Sequence, residues 1–223
     1  MTIAHHAHGP GESPRLPILT VPILTVPGLD NSGPGHWQTL WEQRIAGCHR
    51  VDLGDWSHPH RNSWVSRLGM AVHQAGGPVV LVAHSLGCLN VAWWAAMEGE
   101  AAGRLVRGAL LVAPPDVDRR PAEERIAGFA PAPRGPLPFP SILVGSRDDP
   151  WSDFAAQRQL AQDWGSDLVD AGMAGHLNAA SGLGHWAEGQ RLLARFMPAA
   201  ERAPCAPAIP FSRGGVEGAV RRW

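Results

Sequence analysis

Ser85 stands where a buried apolar run stops. In Pro78-Val-Val-Leu-Val-Ala-His-Ser-Leu-Gly87 the aliphatic stretch 79–82 has the pattern of a strand covered on both faces. Behind the serine, residues 88–97 are rich in helix formers and contain no breaker. A serine hydroxyl is a poor nucleophile until a base takes its proton, and the base needs a carboxylate to orient it. Both kinds of group occur downstream, each just beyond an apolar run. Asp148 and Asp149 follow residues 142–145, and His176 follows Ala171-Gly-Met-Ala-Gly175. Serine, aspartate and histidine in that order point to attack on an acyl carbon through a covalent intermediate. Such chemistry requires no metal and no organic cofactor.

Either aspartate could reach the base from this turn. Pro150 fixes the chain directly after Asp149 and favours it, which leaves Asp148 as a turn cap. Among competing histidines, His84 lies inside the strand-to-helix turn, where its side chain is expected to point away from the substrate face. His185 opens the last helix and reads as a rim residue. Gly175 suits a loop passing close beneath the serine. The oxyanion of a tetrahedral intermediate needs two fixed N–H donors. One is expected from the backbone of Leu86 at a helix N-terminus. The other is expected from Leu29, in the loop Pro27-Gly-Leu-Asp-Asn31, where Gly28 permits close backbone approach. Trp37, Trp56, Trp151 and Trp186 lie in or beside loops expected at this end of the sheet. They are candidates for an apolar acyl pocket. Trp64, Trp93 and Trp94 sit on helix faces as packing, although two adjacent tryptophans cannot share one face.

Strand-like and helix-like segments alternate around these groups. Residues 17–26 repeat Pro-Ile-Leu-Thr-Val in tandem, and the second copy, abutting Pro27-Gly28, is the expected first strand. A helix over 36–46, a strand over 50–53 and a helix from an Asn62 cap to residue 74 follow. After the serine helix come strands at 105–112, 140–145 and 167–171, with helices at 154–164 and 186–197. A proline-rich connection over 114–138 reads as a lid or pocket wall. This order predicts an α/β fold with a mainly parallel central sheet and helices on both faces. Strand, serine and helix together form the nucleophile elbow of a compact α/β-hydrolase. The elbow pattern G-x-S-x-G has Ala83 at its first position, which is small enough for the same packing. One domain is expected over residues 17–197, between a disordered segment at 1–16 and a mobile tail at 198–223.

Composition removes other classes. A chain of 223 residues with a near-neutral net charge of −1 gives no sign of a nucleic-acid or acidic-surface partner. It contains no lysine and no tyrosine, so Schiff-base, lysine-base and tyrosine-acid chemistries are excluded. Three cysteines, odd in number and widely spaced, make neither a disulfide framework nor a zinc set. A reduced, cytoplasmic setting fits them. No apolar stretch is long enough to span a bilayer, and His5, His6 and His8 read as part of a polar start. The expected partner is a small-molecule acyl substrate, with no cofactor, metal, nucleic acid or membrane. A non-catalytic interaction protein on the same scaffold is the competing reading.

Several segments taken together carry a family resemblance. They are residues 26–32, residues 50–56 with Pro59, Ala83-His-Ser-Leu-Gly87, Gly145-Ser-Arg-Asp-Asp-Pro150 and His176-Leu-Asn-Ala-Ala-Ser-Gly-Leu-Gly-His-Trp-Ala-Glu-Gly189. Over about residues 22–197 the chain resembles the small serine hydrolases similar to retinoblastoma-binding protein 9. The resemblance implies a compact α/β-hydrolase with little or no cap, a triad of Ser85, Asp149 and His176, and hydrolysis of esters or related acyl compounds. An L-x-C-x-E segment is absent, so the namesake's retinoblastoma-protein binding is not implied.

Overall fold

Six short strands pair side by side, all parallel: β1 (Ile23–Val26), β2 (Cys48–Arg50), β3 (Val79–His84), β4 (Val106–Val112), β5 (Ser141–Gly145) and β6 (Asp167–Asp170). The computed structural model describes residues 21–119 and 123–198. The expected N-terminal segment and all of the expected tail except Pro198 lie outside these residues. Strand order is β2-β1-β3-β4-β5-β6. The chain runs outward from β1 to β2 and then crosses back over β1 to β3. A topological switch point therefore lies between β1 and β3, where open α/β sheets place their ligand clefts.

Alternation along β3 builds two cores at once. Val79, Leu81 and Ala83 face one cluster, while Val80 and Val82 face the other. Helices α2 (Arg61–Gln74), α3 (Leu86–Glu98) and α5 (Phe154–Trp164) pack into the first through Trp64, Leu68, Leu89, Trp94 and Leu160. Helices α1 (Trp37–Arg44) and α6 (Ala187–Leu193) pack into the second through Trp37, Trp41 and Leu193. A short α4 (Ala102–Leu105) leads into β4. The sheet is thus covered on both faces, as the apolar runs of its strands require. Between β4 and β5 the connection forms only a 3₁₀ turn, Glu124–Phe129, and adds no helical cap domain among the described residues.

Most boundaries shift by one or two residues from the sequence reading, and three of the differences have a clear cause. The second strand is Cys48–Arg50, not residues 50–53, because β1 ends before Pro27 and leaves no partner beyond Val51, whose N–H makes the last bond to Thr25 O. Val51 and Leu53 still bury, which is why they read as a strand. Helix α2 begins at Arg61, so Asn62 lies inside the first turn, and His60 takes the cap position with no side-chain bond. Helix α6 stops at Leu193, with Phe196 and Met197 in i→i−3 turns beyond it. The adjacent tryptophans divide as their spacing demands. Trp94 is buried, while half-buried Trp93 donates to Phe129 O and lies beneath Arg61.

Candidate active site

Every group singled out in the sequence for chemistry lies just past the carboxyl end of a strand. Ser85 follows β3 with φ 54° and ψ −128°, a strained conformation for a residue bearing a Cβ. Its N–H is held by Val112 O at 2.9 Å, and α3 starts at the next residue. Two rows of the sheet away, β5 delivers Asp149, and β6 delivers the loop that carries His176.

These three side chains form one hydrogen-bonded chain. His176 Nδ1 lies 2.8 and 3.0 Å from the two oxygens of Asp149, and Nε2 lies 2.8 Å from Ser85 Oγ. A carboxylate only accepts, so Nδ1 carries the proton and donates it. In the neutral ring Nε2 is then bare and accepts from the serine hydroxyl. The Asp149 side chain is wholly buried and also takes the Trp151 N–H at 2.9 Å, which fixes its orientation. Asp148 points elsewhere. Its Oδ1 accepts from Gly175 N and from Ser146 Oγ, which holds its carboxyl below the usual carboxylate range and anchors the histidine loop.

The loop after β1 lies against the elbow because β1 and β3 are neighbours. A Cβ on Gly28 would stand 2.7 Å from Ser85 Cβ and 3.0 Å from Leu86 N, so only glycine allows this approach. The backbone N–H groups of Leu29 and Leu86 have no hydrogen-bond acceptor among the described residues. Asp30 and Asn31 both have positive φ, 59° and 64°. Arg50 holds this bend with all five of its donors. Nη1 reaches Asn31 Oδ1 and Ser32 O, Nη2 reaches Thr39 Oγ1 and Glu42, and Nε reaches Glu42 again.

A cleft of about 150 Å³ opens over Ser85, with Leu29, Asn31, Ile126, Trp151 and Asn178 on its walls. Pro115 and Ile126 come from the proline-rich connection, which therefore serves as a wall. Of the four tryptophans expected at the pocket, only Trp151 reaches it, with its ring 5.8 Å from that of His176. Trp37 and Trp186 are buried in the second core, where their rings meet edge to face. Trp56 packs on Trp64 at the first core. These three indole rings fill volume beneath the loops rather than line the opening.

Two histidines stand at the cleft where the sequence reading placed neither, His84 having been expected to face away. His84 does not turn away from the substrate side. It lines the cleft, with its ring 4.9 Å from that of His176 and 4.7 Å from that of His36. His36 caps α1, accepting the Gln38 N–H at Nδ1, so its proton sits on Nε2. Burial, then Arg50, then His176 push the His36 pKa down to about 4. Burial likewise holds the His84 pKa well below the ordinary value.

These shifts fix the sign of an acid response. Above about pH 6.5 both histidines are neutral in the folded and unfolded chains and contribute no pH dependence. Below it the unfolded chain takes up protons that the folded chain refuses, so stability falls as pH drops from about 6.5 toward 4. For His36 the loss reaches about 3 kcal/mol, and His84 adds in the same direction. Thermal melting across this range is expected to show the decline. His36→Asn, which retains a good cap, should flatten it, and an equally steep decline in that variant would refute the assignment.

Comparison with known proteins gives the family and the fold. A family model described as serine hydrolase matches residues 23–195. The chain belongs to the serine hydrolase family. Its structure is similar to that of a YdeN-like hydrolase from Pectobacterium atrosepticum, at 31% identity and TM-score 0.70, covering 80% of this chain and 94% of that one. The ydeN gene product of B. subtilis shares the fold at 18% identity and TM-score 0.64, over 79% and 98% of the two chains. So does the type II thioesterase BorB of the borrelidin biosynthetic cluster, at 16% identity and TM-score 0.58, over 83% and 94%. Among curated proteins, none matches the chain. No helix among the described residues is long and apolar enough to cross a membrane.

Proposed function

We propose that this serine hydrolase is carboxylesterase-like and cleaves a small acyl ester through an acyl-enzyme. The observation that carries the reading is the unbroken chain from Ser85 Oγ through His176 to Asp149, beside two free backbone N–H groups. Ser85 attacks the acyl carbon as His176 Nε2 takes its proton. Asp149 holds the ring and stabilises the imidazolium. The oxyanion is received by the N–H groups of Leu29 and Leu86. His176 then protonates the leaving alcohol, and the same base activates water against the acyl-enzyme.

The size of the cleft supports a small acyl group. At about 150 Å³ it falls below the range of roughly 300–1,000 Å³ usual for drug-sized ligands. An amide or thioester would pass through the same groups, and a panel of matched esters, thioesters and amides of increasing acyl length separates them. Within the serine hydrolases, the elbow, the Arg50–Trp56 segment and the His176–Gly189 segment support a place beside the enzymes similar to retinoblastoma-binding protein 9. The buried thiols of Cys48 and Cys88 fit a reduced, cytoplasmic setting.

Labelling with a fluorophosphonate tests the reading directly. Wild type is expected to label and Ser85→Ala to remain unlabelled. Failure of wild type to react, or equal labelling of the variant, would leave the scaffold as a binding module instead.

A further inference from the structure

The loop that carries His176 has little regular structure to hold it. Gly175 and Leu177, on either side of the histidine, both have left-handed backbones, with φ 58° and 48°. For leucine that conformation costs about 1–2 kcal/mol, so surrounding contacts must hold it. Two ring donors supply such contacts to successive carbonyls. His84 Nε2 lies 2.9 Å from His176 O, and Trp37 Nε1 donates to Leu177 O at 2.8 Å. A carbonyl only accepts, so the His84 proton is on Nε2 and the ring donates it.

The geometry points to His84 as a positioning residue for the base, tying the main chain of His176 to the residue next to Ser85. His84 is the last residue of β3 and Ser85 follows it directly, so the bond joins the nucleophile's strand to the base's loop without passing through the reacting atoms. It sets where His176 stands before its ring finds Asp149 on one side and Ser85 on the other. Those two bonds, 2.8 Å each, depend on one ring meeting two partners at once. A shift of about 1 Å at such a group costs up to about a hundredfold in rate. His36 packs edge-on against the His84 ring, 4.7 Å between centroids, and braces it from behind. The sheet-side rings are neutral, so the imidazolium formed on His176 meets no second cation from this stack.

This inference rests on the hydrolase reading, and glutamine and asparagine separate the two. The glutamine amide nitrogen lies as many bonds from Cβ as histidine Nε2 does, so His84→Gln retains the donor to His176 O. His84→Asn falls one bond short. With p-nitrophenyl acetate, His84→Asn is expected to lose about tenfold or more in kcat with KM changed less than about twofold. His84→Gln should recover most of that loss. In the resting protein, the downfield proton resonance of His176 Nδ1–H should broaden in the asparagine variant and sharpen again in the glutamine variant. A folded His84→Asn with wild-type kcat, equal losses in both variants, or a rise in KM alone would overturn the role. If wild type itself neither turns over the ester nor labels with fluorophosphonate, the hydrolase reading falls first and the inference with it.

Discussion

Asp149→Asn is expected to lower kcat by about four orders of magnitude while the protein still folds. The asparagine oxygen can keep the Trp151 N–H bond now made by Asp149 Oδ1 at 2.9 Å. What it cannot keep is a single fixed tautomer. That same oxygen position also faces His176 Nδ1 at 2.8 Å, and the amide NH₂ takes the place of Oδ2, 3.0 Å from Nδ1. The NH₂ competes to donate to Nδ1, and whenever Nδ1 accepts, the ring proton sits on Nε2, which then no longer takes the proton of Ser85. The carboxylate that would stabilise the imidazolium is lost as well. Asp148→Asn provides the control one residue away. Both bonds of Asp148, from Gly175 N and Ser146 Oγ, end on Oδ1, which an asparagine oxygen reproduces. Its loss in kcat should stay within about tenfold, since it acts only by anchoring the loop. Initial rates of ester hydrolysis with a melting curve for each variant decide the matter. Equal losses in the two variants, or a larger one at Asp148, would refute the assignment of Asp149.

Some of this was readable from residue order and some was not, for physical reasons. Strands β3 and β5, and β4 from Gly108 on, are buried on both faces, so each carries an unbroken apolar run with a clear end. Ser85 and Asp149 stand past the ends of β3 and β5, and His176 past the half-exposed edge strand β6, where a parallel sheet collects its loops on one side. Residues 50–53 misled because burial alternates there, Val51 and Leu53 inward and Asp52 outward, without a neighbouring strand to pair. Alternation reports which side chains bury and says nothing of where the backbone N–H groups go. Tryptophan was the harder case. An indole beside a catalytic loop can line a cleft or support it from below, and composition does not distinguish the two. Trp37 supports: its N–H holds Leu177 O while its ring fills the core. His36 offered no local signal, and His84 was visible only as a competing base whose direction its position in the turn did not reveal. Their importance arises from a stack of rings contributed by α1, β3 and the β6 loop, and only the sheet order brings those together.

Gly28→Ala and Gly87→Ala are expected to fail in opposite ways, one in rate and the other in stability. At Gly87 a Cβ would stand 2.1 Å from Val26 O and 2.8 Å from Pro27 O. Val26 belongs to β1, which is bonded to β2 on one side and β3 on the other, so that carbonyl cannot withdraw without opening the sheet. The cost should exceed about 4 kcal/mol, seen as a fall in Tm of about 10 °C or more or as failure to fold. At Gly28 the methyl would meet Ser85 Cβ at 2.7 Å and both His84 O and Leu86 N at 3.0 Å. Gly28 lies in a loop past the end of β1, and a loop can lift by a few tenths of an ångström. Lifting moves Leu29 N–H away from Leu86 N–H and spoils the pair that would receive the oxyanion. Gly28→Ala should therefore fold, with kcat down by about a hundredfold and KM little changed. Gly77→Ala, where a Cβ meets nothing within 4 Å, is the neutral reference, within about 0.5 kcal/mol of wild type. Should Gly28→Ala lose stability as Gly87→Ala does yet keep its kcat, the loop after β1 would be structural support and the oxyanion donor would have to be sought elsewhere.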